Sequence, residues 1–137
     1  METDTSANEY EYDQELRSLL PLTPAVFHIL LALANGERHG YGILLEIAAI
    51  THAQRRIGPG TLYRSIKQML AAGMIEEADE RPDPSLDDER RRYYRLTAFG
   101  RRVALAEAQR LAQLVRAAEV RRLLPGSAGT PGIEGNR

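Results

Sequence analysis

Arg64, Lys67 and Gln68 are the side chains in this sequence with the chemistry to read a nucleic acid. A guanidinium or an ammonium can donate to a guanine edge or a phosphate, and a carboxamide pairs with an adenine edge. Their spacing groups them. In the segment from Gly58 to Leu70, the apolar residues Leu62, Ile66, Met69 and Leu70 fall at i, i+4, i+7 and i+8. That period predicts a helix with one apolar face, and Thr61, Arg64, Lys67 and Gln68 point away from it. Tyr63 lies on the flank of the apolar face. Pro59 suits the first helical position and Gly73 a helix stop. The backbone N–H groups near Gly60 and Thr61 are then open to a phosphate. A helix that is apolar on one side and basic on the other is the arrangement expected of one that enters a DNA groove.

Other chemistries find no support. With no cysteine there is neither a disulfide frame nor a thiolate metal site. His28, His39 and His52 fall in different elements without metal spacing, so no metal or other cofactor is expected. Gly58-Pro59-Gly60 lacks the Lys-Ser/Thr of a phosphate-binding loop, and no Ser/His/Asp set can be assembled. An enzyme is not expected. The 137 residues, 43% hydrophobic and 27% charged, suit one soluble domain with a single core. No apolar run approaches the roughly 20 residues needed to cross a bilayer. Met1-Glu2-Thr3-Asp4 is unlike a signal peptide, and the expected compartment is the cytoplasm.

A formal net charge of -1 argues against nucleic acid only if charge is evenly spread, and it is not. Glu2, Asp4, Glu9, Glu11, Asp13 and Glu15 face only Arg17 in the first twenty residues. Between His52 and Met74 the charges are Arg55, Arg56, Arg64 and Lys67, and from Arg90 to Arg102 they are all arginines. Local sign decides what a surface attracts. One such cluster is commonly just solvated surface; two flanking one helix argue for a site.

The elements that must position these residues follow from the turn residues. Residues 9–20 place Tyr12, Leu16, Leu19 and Leu20 on one helical face, ended by Pro21. Thr23-Pro24 caps and opens a helix with Val26, Ile29, Leu30 and Leu33 at core spacing, closed by Asn35-Gly36. Residues 40–50 predict a third helix with Leu44, Ile47 and Ala48 inward, its early glycines allowing close packing at its start. With the Gly58–Leu70 helix this is the helix-turn-helix order. Met74–Ala78 and Arg91–Thr97 read as two strands, with Tyr94 and Leu96 inward, around a hairpin loop from Arg81 to Glu89. Thr97 then caps a long helix reaching about Leu124, where Pro125-Gly126 halts it. Its stripe of Ala104, Ala108, Leu111, Val115 and Ala118, widened by Leu114, must pack on its own domain or on a second copy of itself. The organisation is thus a disordered start (1–8), a domain from 9 to 97, a terminal helix from 98 to 124, and a disordered Gly/Pro/Ser-rich tail (125–137).

These words, in this order, resemble the PadR family of transcriptional regulators. The matching pieces are Leu22-Thr23-Pro24, His39-Gly40-Tyr41-Gly42-Ile43, Gly60-Thr61-Leu62-Tyr63, Ala72-Gly73-Met74-Ile75, and Arg92-Tyr93-Tyr94-Arg95-Leu96-Thr97-Ala98-Phe99-Gly100. The resemblance implies a mainly α winged helix-turn-helix with a small two-stranded β wing, an N-terminal helix and a long C-terminal dimerisation helix. It implies a homodimer, as in the compact branch of the family where a single C-terminal helix clasps its partner. Leu16, Leu19, Leu20, Leu111, Leu114, Val115 and Ala118 would then form the interface. The homodimer would present two recognition helices to a two-fold symmetric double-stranded operator, typically as a repressor. Gly60, Thr61, Tyr63, Arg64, Lys67 and Gln68 would meet DNA, Tyr63 through the sugar-phosphate backbone, and Arg90, Arg91 and Arg92 would anchor the wing.

The resemblance also implies a possible small-molecule effector, since some relatives hold flat aromatic compounds at the dimer interface, stacked on a tryptophan of the C-terminal helix. This chain has no tryptophan; Tyr10, Tyr12 and Phe27 are the aromatic residues that could line another pocket or fill the interface. A different class of function, a winged-helix module that docks a protein through its acidic N-terminal segment, is separated from DNA binding by whether Arg64 and Lys67 matter for a DNA shift.

Overall fold

Thr23 and Pro24 open the helix around which the other elements assemble. The computed structural model describes residues 11, 13–54, 56–78 and 92–125. Tyr10, Tyr12, Arg55, Arg90, Arg91, the expected hairpin loop and nearly all of the expected disordered ends lie outside the described residues. A first helix, α1, includes residues 13–18. Helix α2 runs Pro24–Leu33, with the Thr23 hydroxyl accepting the Val26 N–H at 3.3 Å. Next come a short strand β1 (Arg38–His39), helix α3 (Gly40–Ile50) and helix α4 (Pro59–Ala71). Strands β2 (Ile75–Glu77) and β3 (Tyr93–Leu96) form the wing, and helix α5 spans Ala98–Val120.

The core gathers Ile29, Leu30 and Leu33 of α2, Ile43 and Ile47 of α3, and Leu62, Ile66 and Met69 of α4, all buried. Met74, Ile75, Tyr94, Phe99 and Val103 close it from the wing and the base of α5. Tyr94 is inward as expected, with Leu96 partly buried beside it. In α3 the buried stripe is Gly40, Ile43 and Ile47, one position off the expected Leu44, Ile47 and Ala48. Leu44 is only partly covered, because packing begins at Gly40 itself and carries the inward face to residues three and seven further on.

The sheet holds a strand the sequence did not announce. Its order is β1-β3-β2, antiparallel throughout, with Arg38 opposite Tyr94 and His39 opposite Tyr93. On the other edge Ile75 pairs with Leu96, Glu76 with Arg95 and Glu77 with Tyr94. The expected two-stranded wing is therefore joined to the helices by a third short strand. His39 serves twice there: its Nδ1 accepts the Gly42 N–H at 2.9 Å and caps α3, and its ring meets Tyr93 edge-on at 5.2 Å.

Thr97 caps α5 as expected, accepting the Gly100 N–H at 2.9 Å. The helix ends at Val120, short of the expected Leu124. Arg122 turns into the left-handed region at φ 62, and the Leu123 N–H donates back to the Ala118 carbonyl at 2.8 Å, closing the last turn without a glycine. Among the described residues, no helix is long and apolar enough to cross a membrane.

Candidate nucleic-acid interface

Helix α4 is split along its length between a buried and a bare face. Leu62, Ser65, Ile66 and Met69 are buried, while Arg64, Lys67 and Gln68 stand in solvent and Thr61 is half-buried. The N-cap, Gly58, supplies no side-chain hydrogen bond, and Pro59 follows it. The first N–H groups of a helix have no partner within it, so those of Gly60 and Thr61 face outward and unclaimed by a cap. A Cβ built on Gly58 or Gly60 would meet nothing within 4 Å. The protomer's own packing therefore asks for no glycine at Gly60.

Tyr63 is placed differently. It is half-buried, and its hydroxyl fills the space where a Cβ on Gly40 would stand. The absence of a side chain at Gly40 thus lets the start of α3 close on α4 through the Tyr63 ring.

The arginines after the wing loop behave unlike the cations of α4. Arg95 holds Glu76 at 2.9 Å and Glu37 at 3.3 Å, Arg102 reaches Asp13 at 3.1 Å, and Arg92 stands 3.8 Å from Glu77. The hydrogen bonds from Arg95 to Glu76 and then to Glu37 raise its already high pKa, which reinforces a permanent charge. Arg101 donates to the Ala34 carbonyl at 3.0 Å. Of the described arginines in the run expected to be uniformly positive, Arg92, Arg95 and Arg102 thus face carboxylates from other parts of the chain. Arg64 and Lys67, by contrast, make no ion pair among the described residues. Nor does any group of three or more His, Cys, Asp or Glu side chains converge among the described residues as a metal site would require.

The residues expected at a subunit interface divide in two. Leu16 is buried within the protomer's own core, so it is not part of an outer surface; Leu19 and Leu20 are half-buried against that core. On α5, Leu111 and Ala118 are half-buried, while Leu114 is 55% and Val115 46% exposed. Beyond them Val120 is 78% and Leu123 74% exposed.

Glu107 was not singled out in the sequence, yet it anchors the other side of α5. It is 2% exposed, takes two hydrogen bonds from Arg110 at 2.7 and 2.9 Å, and accepts the Leu22 N–H at 3.2 Å. The Arg110 hydrogen bonds hold its carboxyl below the usual carboxylate range, burial opposes them, and the Leu22 N–H adds to the lowering. This pair lines a cavity of about 650 Å³ with Leu22, Phe27, His28 and Leu111. A Glu three residues before an Arg is the only trace it leaves in the sequence, and most such pairs are surface pairs.

The family model described as "Transcriptional regulator PadR-like family" matches residues 29–106. Over 86 residues the chain is 33% identical to "Uncharacterized 37.1 kDa protein in transposon TN4556" of Streptomyces fradiae. That match covers 63% of this chain and 22% of the relative, so the chain spans less than a quarter of that protein's length. Over 89 residues it is 30% identical to a transcriptional regulator, Rv3488, of Mycobacterium tuberculosis, covering 65% of this chain and 77% of that one. Among solved structures, a PadR family transcription regulator from Clostridium difficile aligns with a TM-score of 0.58 at 20% identity, over 74% of this chain and 100% of that chain. At that identity the likeness is one of fold.

Proposed function

The chain belongs to the transcriptional regulator PadR-like family, and from that membership we propose that it binds a two-fold symmetric double-stranded DNA operator as a homodimer and represses transcription there. The observation that carries this reading is the bare face of α4: Arg64, Lys67 and Gln68 in solvent, without an ion pair among the described residues, on a helix whose other face is buried. Arg38, Arg92, Arg95, Arg102 and Arg110 stand within reach of carboxylates, whereas Arg64 and Lys67 share one solvent-facing side of α4 with Gln68.

In that complex α4 lies in the major groove. Arg64 and Lys67 donate to guanine edges or phosphates, Gln68 pairs with an adenine edge, and the N–H groups of Gly60 and Thr61 hold a phosphate at the positive end of the helix. Tyr63 contributes its hydroxyl to the sugar-phosphate backbone from its seat beside Gly40, and Arg90, Arg91 and Arg92 bring the wing to the neighbouring backbone. The distal faces of α5, with Leu111, Leu114, Val115 and Ala118, clasp each other and set the two α4 helices about 34–36 Å apart, one turn of DNA. A small-molecule effector would act by changing that distance.

The test begins with duplexes selected by the protein from a random-sequence pool, which should contain two related half-sites about one helical turn apart. Arg64→Ala combined with Lys67→Ala should then lose the selected duplex while the protein remains folded and dimeric. Undiminished binding by that variant would remove α4 from the interface.

A further inference from the structure

Among the wing cations of the described residues, Arg92 stands beside the recognition helix, and a carboxylate is already there. Its Nη1 lies 3.8 Å from Glu77 Oε2, and the two side chains are 57% and 48% exposed. The strand register explains the placement. Glu77 is opposite Tyr94, and the alternation of a strand puts Arg92, Tyr94 and Glu77 on one face of the hairpin. That face is the one turned to α4: Tyr63, Ile66, Lys67 and Leu70 close a groove of about 190 Å³ against Glu77, Arg92 and Tyr94. The neighbouring Glu76 points to the opposite face, where it holds Arg95. Glu77, Arg92 and Lys67 therefore line one groove between the wing and α4, and a DNA backbone that touches both cations there also meets the carboxylate.

We infer that Glu77 is a built-in competitor of DNA phosphate: it occupies Arg92 in the free protein, so the wing yields that cation to DNA only by exchange. This rests on the DNA-binding reading above. An exposed pair at this separation is weak, so a phosphate can displace it. The released carboxylate nonetheless stays beside the backbone and beside Lys67, and like charges across an interface cost affinity. Binding without base contacts is nearly all electrostatic. A carboxylate in the cationic groove thus restrains the sequence-independent part of binding, and the charge of Arg92 counts for less than it would alone.

The experiment is fluorescence anisotropy with a labelled random-sequence duplex, titrated with wild type, Glu77→Gln, Arg92→Ala and the double variant over a range of salt. Glu77→Gln keeps the shape and removes the charge. It should tighten binding about three- to tenfold at low salt, the scale of one surface pair plus one repulsion. The slope of log K against log salt should steepen by about one. In the Arg92→Ala background the same change should tighten binding less, because only the repulsion between Glu77 and the backbone is left to remove. Glu77→Gln binding no more tightly than wild type overturns the inference and leaves DNA binding standing. Equal tightening in both backgrounds overturns the exchange with Arg92. If wild type itself binds neither random nor selected duplex, the DNA-binding reading fails first and this inference with it.

Discussion

The outward face of α4 is cationic and polar, with Arg64, Lys67 and Gln68 in solvent, whereas α5 beyond Leu111 bares the apolar side chains of Leu114 and Val115 beside Gln113 and Arg116. Each helix buries its other side on the same core. The polar face is stable in water as it stands, and its charges act over about 8–10 Å at ordinary salt. The apolar face is not. Burying a leucine or valine side chain is worth about 1.5–3 kcal/mol, and contiguous apolar surface of this kind marks an association site. Under the proposed function the first face meets a polyanion and the second a copy of the same helix. Within α5 the same contrast runs along a single element. Phe99, Val103 and Glu107 are fastened inward, and Leu114, Val115 and Val120 stand in solvent.

The strongest way to break this comparison is to spoil the apolar face. Leu114→Glu with Val115→Glu should give a folded monomer in light scattering. Its affinity for the selected duplex should fall by about 10²–10⁴, the loss expected when two linked contacts become one. A dimer that survives this change would take the distal half of α5 out of the interface. Smaller in scale is the inward half. Glu107→Ala strands Arg110 and the Leu22 N–H and should cost about 1–3 kcal/mol in denaturant unfolding, without the wholesale loss of dimer expected of the first variant. The pH dependence has a definite sign. The folded carboxyl is held below its ordinary value, so its contribution is complete above about pH 4.3–4.5 and fades as pH falls through the lowered folded value. Acid unfolding of Glu107→Gln should lack that component. The smallest change is Gly60→Ala. Open space around Gly60 means the free protein should be unharmed or gain up to about 1 kcal/mol. DNA affinity should nevertheless drop about tenfold, because the new methyl stands where a phosphate would approach the N–H groups of α4. Equal affinity would show that no phosphate sits there.

What could be read in the sequence was local. The apolar period of Leu62, Ile66 and Met69, with Pro59 before it and Gly73 after it, is contained in a few turns of chain and gave α4 and its buried face correctly. Thr23 and Thr97 capped the helices they were expected to cap. What escaped depends on contacts between distant residues. Strand β1 is two residues long and exists only because Arg38 and His39 lie against Tyr94 and Tyr93. The partners of Arg95 and Arg102 are Glu37, Glu76 and Asp13, none of them near in sequence, so a run of arginines read as a positive surface when much of it is paired. Glu107 looked like any helical carboxylate until Leu22 and Arg110 closed over it. In α3 the choice between Ile43 and Leu44 turned on where packing starts, which Tyr63 against Gly40 decides. Residue types at the site were legible, and the difference between a free cation and a paired one was not.

That difference between free and paired cations can be measured directly. The direct measurement is the dissociation constant of the selected duplex for wild type and for Arg64→Ala combined with Lys67→Ala, with dimerisation checked in the same buffer. Loss of one guanine contact alone costs about 1–3 kcal/mol, so the double variant should bind at least about tenfold more weakly as an intact dimer, with a shallower salt slope. An intact dimer that binds with unchanged affinity and slope would contradict the assignment of the bare face of α4 to DNA.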